Sequence, residues 1–113
     1  MDKILPVAFY RMLSGKEPVR EWLKELSLVD KRAIGEDLKT LEYGWPVGMP
    51  LCRSMGEGLW EVRSDLPNGR TARILFCIAD GYLVLLHGFI KKTQKTPDSD
   101  LALARQRMKE LRS

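Results

Sequence analysis

The dipeptide Asp80-Gly81 constrains this chain more than any other feature. Asp-Gly favours a two-residue turn with positive φ at both positions, the kind that joins two antiparallel strands. Runs rich in aliphatic residues flank it at residues 72–79 and 82–90, and each reads as a strand. A two-residue turn sets Ala79 opposite Tyr82, Leu75 opposite Leu86, Ile74 opposite His87 and Arg73 opposite Gly88. Both strands are apolar on each face, so the hairpin is expected at the centre of a sheet covered on both sides.

The rest of the chain arranges itself around that hairpin. Residues 4–12 read as a strand, with Pro6 placing it at a sheet edge or moving its start to Val7. Ser14-Gly15 breaks it, and Pro18 suits a first helical turn. Val19, Trp22, Leu23 and Leu26 follow at helical spacing. Asp30 is the expected N-cap of a second helix with the stripe Ile34, Leu38 and Leu41, and Gly44 its expected stop. So short a link predicts an antiparallel helical hairpin. Residues 44–58 are rich in Gly and Pro and read as a loop with one short strand at 51–55. Residues 59–64 alternate like a half-buried strand, and Pro67-Asn68-Gly69 is a turn. Thr96 as N-cap, Pro97 at the first position and Asp98 and Asp100 in the first turn announce a last helix. Its expected buried stripe is Leu101, Ala104, Met108 and Leu111. The expected product is an α+β domain, a mainly antiparallel meander sheet with helices packed on it.

A length of 113 residues fits one domain spanning 1–113. The apolar runs, such as residues 74–79 and 83–86, are far too short for a transmembrane helix. Pro6 follows Met1-Asp2-Lys3 before any long apolar stretch, so no signal-peptide profile is present. A cytoplasmic location with reduced, half-buried thiols at Cys52 and Cys77 is the expectation. One histidine and two cysteines without CxxC spacing exclude a four-ligand Cys/His zinc site, and no metal or cofactor is expected. The net charge of +4 is unevenly placed: residues 1–86 hold 12 basic and 12 acidic side chains, and residues 87–113 hold 7 and 3. An anionic partner is therefore drawn to the C-terminal end.

The chemistry-bearing candidates follow from this. His87-Gly88-Phe89-Ile90-Lys91-Lys92-Thr93-Gln94-Lys95-Thr96 leaves a buried strand and delivers three lysines, two threonines and a glutamine ahead of a helix. Point charges, hydroxyls and amide donors at close range are what phosphate binding needs. By composition alone, a solvated lysine-rich loop explains the same residues. Arg63 and Arg73 lie mid-strand in apolar patterns, where a charge needs a partner or a cleft. Ion pairs with Glu61 or Asp65 are the plain alternative. A two-residue turn at Asn68-Gly69 pairs Ser64 with Arg73 and puts the two arginines on opposite faces; an extra residue in the turn region puts them on one. His87 near the sheet interior suits a structural role, Trp60 and Tyr82 suit the core, and Trp45 suits packing or base stacking. Arg53 is a further basic candidate, and Arg105, Arg107, Lys109 and Arg112 read as a polar helix face open to partners.

Three stretches carry a family resemblance: Leu59-Trp60-Glu61-Val62-Arg63, Ala72-Arg73-Ile74-Leu75-Phe76, and Leu85-Leu86 running through His87-Gly88-Phe89-Ile90-Lys91-Lys92-Thr93-Gln94-Lys95-Thr96-Pro97. In this order and spacing, from about Val7 to the end of the last helix, the chain resembles the RelE/HigB toxins of type II toxin–antitoxin systems, in their phage-derived HigB branch. The resemblance implies a RelE-like fold and a ribosome-bound mRNA interferase that cuts RNA with basic side chains, without a metal. It implies Arg63, Arg73, Lys91 and Lys92 as catalytic or phosphate-binding cations, and Arg53, His87, Thr93, Gln94 and Lys95 as RNA contacts. It also implies a cognate antitoxin, commonly of helix-turn-helix type, with ribosome and mRNA as the other partners. Some relatives use a tyrosine on the last helix or tail and others a histidine; this chain has no tyrosine after Tyr82, and His87 is its sole histidine. Adjacent Lys91 and Lys92 would push one ammonium toward neutrality by like-charge repulsion, which suits Lys92 to proton transfer. A gyrase inhibitor of the ParE kind and a non-catalytic nucleic-acid-binding module are the competing readings.

Overall fold

The computed structural model describes residues 3–91 and 95–112. Its elements in chain order are β1 (Val7–Phe9), α1 (Pro18–Lys24), α2 (Leu28–Gly44), β2 (Cys52–Gly56), β3 (Leu59–Asp65), β4 (Thr71–Ala79), β5 (Tyr82–Lys91) and α3 (Asp98–Arg112). A 3-10 turn at Pro67–Gly69 joins β3 to β4. The five strands form one sheet in the order β1-β5-β4-β3-β2. Only the β1–β5 pair is parallel. This is the α+β arrangement expected of a RelE-like fold, with the β4–β5 hairpin at its centre. Asp80 and Gly81 take φ of 53° and 81°, as the two-residue turn requires.

Side chains alternate between the two sheet faces, and each face has its own core. Val62, Ala72, Ile74, Phe76, Leu83 and Leu85 face α1 and α2, where Val19, Ile34, Leu38 and Leu41 meet them. Leu59, Leu75, Cys77, Val84 and Leu86 face α3, which supplies Ala104 and Met108. Trp45 packs edge-on against Trp60 and Phe76, with ring centres 5.0 and 5.6 Å away, so its role is packing. Tyr82 is not core: it is 46% exposed beside the turn. Cys52 and Cys77 are free and fully buried, not half-buried. Burial pushes the Cys52 thiol up to about 11 and the Cys77 thiol upward, which suppresses the reactive thiolate in both.

Helix boundaries depart from expectation for local reasons. Ser27 caps α2, its Oγ accepting from the Asp30 backbone N–H at 3.2 Å. Asp30 instead gives both carboxylate oxygens to Arg70, at 3.0 and 3.1 Å, tying α2 to the turn after β3. Gly44 lies inside the last turn of α2, and Trp45, extended at ψ 137°, ends the helix. The following Pro46 disfavours the helical region for that residue. Thr96 does not cap α3. The first bond there runs from Leu101 N–H to the Pro97 carbonyl at 3.1 Å, while the Thr96 hydroxyl turns into the sheet and donates to Glu61. No helix among the described residues is long and apolar enough to cross a membrane.

Two one-residue irregularities set the register of β4 against its neighbours. The turn after β3 holds three residues, closed by Leu66 N–H to the Arg70 carbonyl at 2.9 Å. Asn68 and Gly69 both take positive φ, 65° and 72°. Arg63 therefore pairs with Arg73, and Ser64 with Ala72. In the central hairpin a bulge falls between Leu75 and Phe76: Phe76 faces Leu85, but Leu75 faces His87. The expected pairing of His87 with Ile74 is thus corrected. Leu86 is the extra residue, and beyond it every β5 side chain changes face.

Gly88 marks where α1 lies closest to β5. A Cβ there would come within 2.5 Å of the Trp22 ring. The rigid indole cannot step aside cheaply, so Gly88→Ala is expected to destabilise the fold by about 1–3 kcal/mol. Urea unfolding followed by Trp fluorescence measures it; an unchanged midpoint would show that α1 does not seat on this strand.

Candidate nucleic-acid interface

The two irregularities bring together residues that are far apart in sequence. Arg63 on β3 and Arg73 on β4 are cross-strand partners, and Arg73 is paired in turn with Phe89 on β5. Both arginines share a sheet face, the one α3 partly covers. Arg53 on β2 pairs with Glu61 on β3, one row along the same face. The bulge at Leu86 adds His87, Phe89 and Lys91 to that face; without it they would point at α1.

Glu61 organises the cluster. It is 2% exposed, as is Arg73. Its Oε1 accepts from Arg73 Nη1 at 3.0 Å and from Arg53 Nη2 at 3.3 Å, and its Oε2 accepts from the Thr96 hydroxyl. One carboxylate thus holds a buried guanidinium in a fixed orientation, as a buried charge requires. The ion pair with Glu61 offered as the plain alternative for Arg73 is real. Arg63 is freer: its side chain is 41% exposed, and its contact with Asp65, itself almost fully exposed, is 3.8 Å. A small pocket of about 90 Å³ opens here, lined by Met49, Pro50, Leu51, Arg53, Glu61, Arg63 and Arg73. A second hollow adjoins it across Arg53, lined also by Ser54, Met55, Lys95, Thr96 and Leu101. Arg53, Arg63, Arg73 and Lys95 outnumber their carboxylate partners Glu61 and Asp65, and the balance favours an anion.

The other candidates divide. Lys91 ends β5, half-buried, opposite Thr71. Lys95 is exposed. Lys92, Thr93 and Gln94 lie outside the described residues. His87 Nε2 sits 2.6 Å from Asp100 Oδ1 in the first turn of α3, and its ring stacks on Phe89 at 5.6 Å. The structural role expected of the histidine is thus visible, on the face opposite to the one its unbulged register gives. Among the described residues no group of three or more His, Cys, Asp and Glu side chains could hold a metal ion.

Sequence reasoning named Glu61 only as an alternative ion-pair partner, counted Thr96 in the basic run and as a cap, and gave Asp100 no site role. Glu61 had a signal: an acid two residues before Arg63, on the same face of an alternating strand. The basic residues of α3 divide. Arg105 donates to the Met55 carbonyl at 2.8 Å and Arg107 to the Leu86 carbonyl at 2.8 Å. Arg112 lies over Gly58, where a Cβ would sit 2.7 Å from its Nη2. Arg105 and Arg107 thus fasten α3 to the sheet, while Lys109 and Arg112 stay exposed. Tyr10 adds another fastening by donating to Glu110, a bond that raises the phenol above its usual range.

Fold and site together define a small α+β protein with a guanidinium-rich sheet face arranged around one buried carboxylate. The chain belongs to the family described as phage-derived protein Gp49-like (DUF891), whose model matches residues 21–109. That span contains Arg53, Glu61, Arg63, Arg73, His87 and the run from Lys91 to Lys95. A comparison with curated proteins finds no match.

Proposed function

We propose that this chain is the toxin of a type II toxin–antitoxin pair, an endoribonuclease of the mRNA-interferase kind that cuts translated mRNA on the ribosome and is held inactive by a cognate antitoxin. The carrying observation is the direct cross-strand pairing of Arg63 with Arg73 beside Glu61. Directly paired residues on antiparallel strands have Cβ atoms about 5 Å apart, so two guanidinium groups can reach one phosphate. The family assignment and the HigB-like segments from Leu59 onward support the same reading.

RNA carries its own nucleophile, the 2′-hydroxyl next to the scissile phosphate. The protein must hold that hydroxyl in line, neutralise charge on the pentacoordinate phosphorus, and move two protons. Arg73, fixed by Glu61 through Nη1 and lining the small pocket, sets its positive charge toward one phosphate oxygen. Arg63, with room to move, closes on the second oxygen. Arg53, Lys91 and Lys95 hold the flanking backbone, with Thr93 and Gln94 in the following segment. Lys92 takes part in proton transfer, with Lys91 as its electrostatic neighbour. No cofactor has a role in this scheme.

The test is induced expression with mapping of mRNA 5′ ends, with and without the product of the neighbouring reading frame. New 5′ ends within translated messages are expected, absent for Lys92→Ala and suppressed by the neighbour. Growth arrest with intact messages and a DNA-damage response would sink the reading in favour of gyrase inhibition. Salt-dependent RNA binding without cleavage, even with ribosomes present, would reduce the chain to a binding module.

A further inference from the structure

The opposite side of the sheet carries a second feature that RNA cleavage does not use. A groove of about 250 Å³ runs between α1 and α2, its floor lined by Phe9, Leu23, Ile34 and Leu38 and almost wholly apolar. We propose that this groove is the docking site for an acidic amphipathic helix of a protein partner. The inference rests on the toxin reading, under which that partner is the antitoxin.

Gly35 is the first argument. It lies mid-way along α2 and lines the groove. Glycine weakens a helix interior, so it needs a reason there. Its φ is not in the positive range. A Cβ built on it would meet no atom within 4 Å. Neither the backbone nor packing within this chain asks for a glycine. A partner backbone approaching closely does, because a larger side chain would fill the groove from its floor.

Charge is the second argument. Arg20, Lys24 and Lys31 line the same groove. Arg20 pairs with Glu17 at 3.2 Å and lies over the Phe9 ring. Lys24 and Lys31 make no ion pair among the described residues. An apolar floor with a cationic rim complements a helix that is apolar on one side and acidic at its flanks. Leu28, 62% exposed, shares the helix face of Lys31, Gly35 and Leu38 by spacing and extends the apolar strip. Few polar groups face the floor, so a peptide suits it better than a nucleic acid. Docking there leaves Arg63 and Arg73 uncovered, so the segment anchors the partner without plugging the arginine face.

The probe is the purified product of the reading frame next to this chain's gene, titrated against the full chain. Gly35→Leu is expected to weaken binding about tenfold or more. The paired reversals Lys24→Glu and Lys31→Glu are expected to weaken it comparably and to flatten its salt dependence. Circular dichroism melting confirms each fold, and the reversals, at solvent-accessible positions, keep the test valid if Gly35→Leu fails to fold. RNA cleavage by both variants should match the parent chain. Equal affinity of the neighbour for parent and variants overturns the groove while leaving the toxin reading intact. No affinity for the parent chain defeats the toxin–antitoxin reading itself, and the groove falls with it. A dimer of the parent chain abolished by Gly35→Leu assigns the groove to a second copy and also overturns the proposal.

Discussion

Arg63→Ala is expected to lower RNA cleavage by about 100-fold or more without moving the melting temperature. The side chain is 41% exposed and its ion pair with Asp65 is long and open to water, so its removal costs the fold under about 1 kcal/mol. Its proposed work lies in the transition state. A preorganised charge aimed at a developing oxyanion contributes about 3–4 kcal/mol, or roughly 10²–10³ in rate. Arg63→Lys should recover only part of this, because an ammonium lacks the planar fork that grips two oxygens. The measurement is single-turnover cleavage of mRNA on programmed ribosomes, beside a thermal melt. Undiminished cleavage by Arg63→Ala would remove Arg63 from the mechanism and leave the cross-strand pair without its assigned purpose.

Glu61→Ala carries the second large effect, and it divides differently between stability and activity. The carboxylate is 2% exposed and bound by Arg73, Arg53 and Thr96. Removing one partner of a buried pair strands the other charge in the core and costs about 3–5 kcal/mol. Urea unfolding should show that loss, and cleavage should fall because Arg73 loses its orientation. The double variant Glu61→Leu with Arg73→Met is the informative control. Replacing both charges by apolar groups of similar size is expected to restore most of the stability and none of the activity. Restored cleavage in that variant would show that the pair is scaffold only.

The contrast between the two arginines could not be read from the sequence. Both are single cations in an apolar strand pattern, and both have an acid two residues or one strand away. Burial separates them: Arg73 lies on a central strand beside Glu61, while Arg63 lies just beyond the first residue of β2, where water reaches the face. The arginines of α3 are a similar case. Spacing showed them off the buried stripe, but the backbone carbonyls of Met55 and Leu86 that they bind belong to other elements. Asp30 and Thr96 were legible as capping residues because Asp and Thr favour caps. Tertiary partners, Arg70 and Glu61, claimed their side chains, and for α2 Ser27 took the cap instead.

Local chemistry in the sequence determined a great deal. The Asp80-Gly81 turn, the helical stripes of α1 and α2, and the strands on either side of Pro67-Asn68-Gly69 all follow from residues within a few positions of one another. The segments that carry the family resemblance named the residues to watch. Which face those residues occupy was decided only by the tertiary structure. A strand's side chains alternate with a period of two, so one residue more or less reverses them all. The three-residue turn after β3 aligned Arg63 with Arg73, and the extra Leu86 carried His87, Phe89 and Lys91 across to join them. Both choices depend on how neighbouring strands pair and what the helices leave room for, information spread over the whole sheet and absent from any short window of the chain.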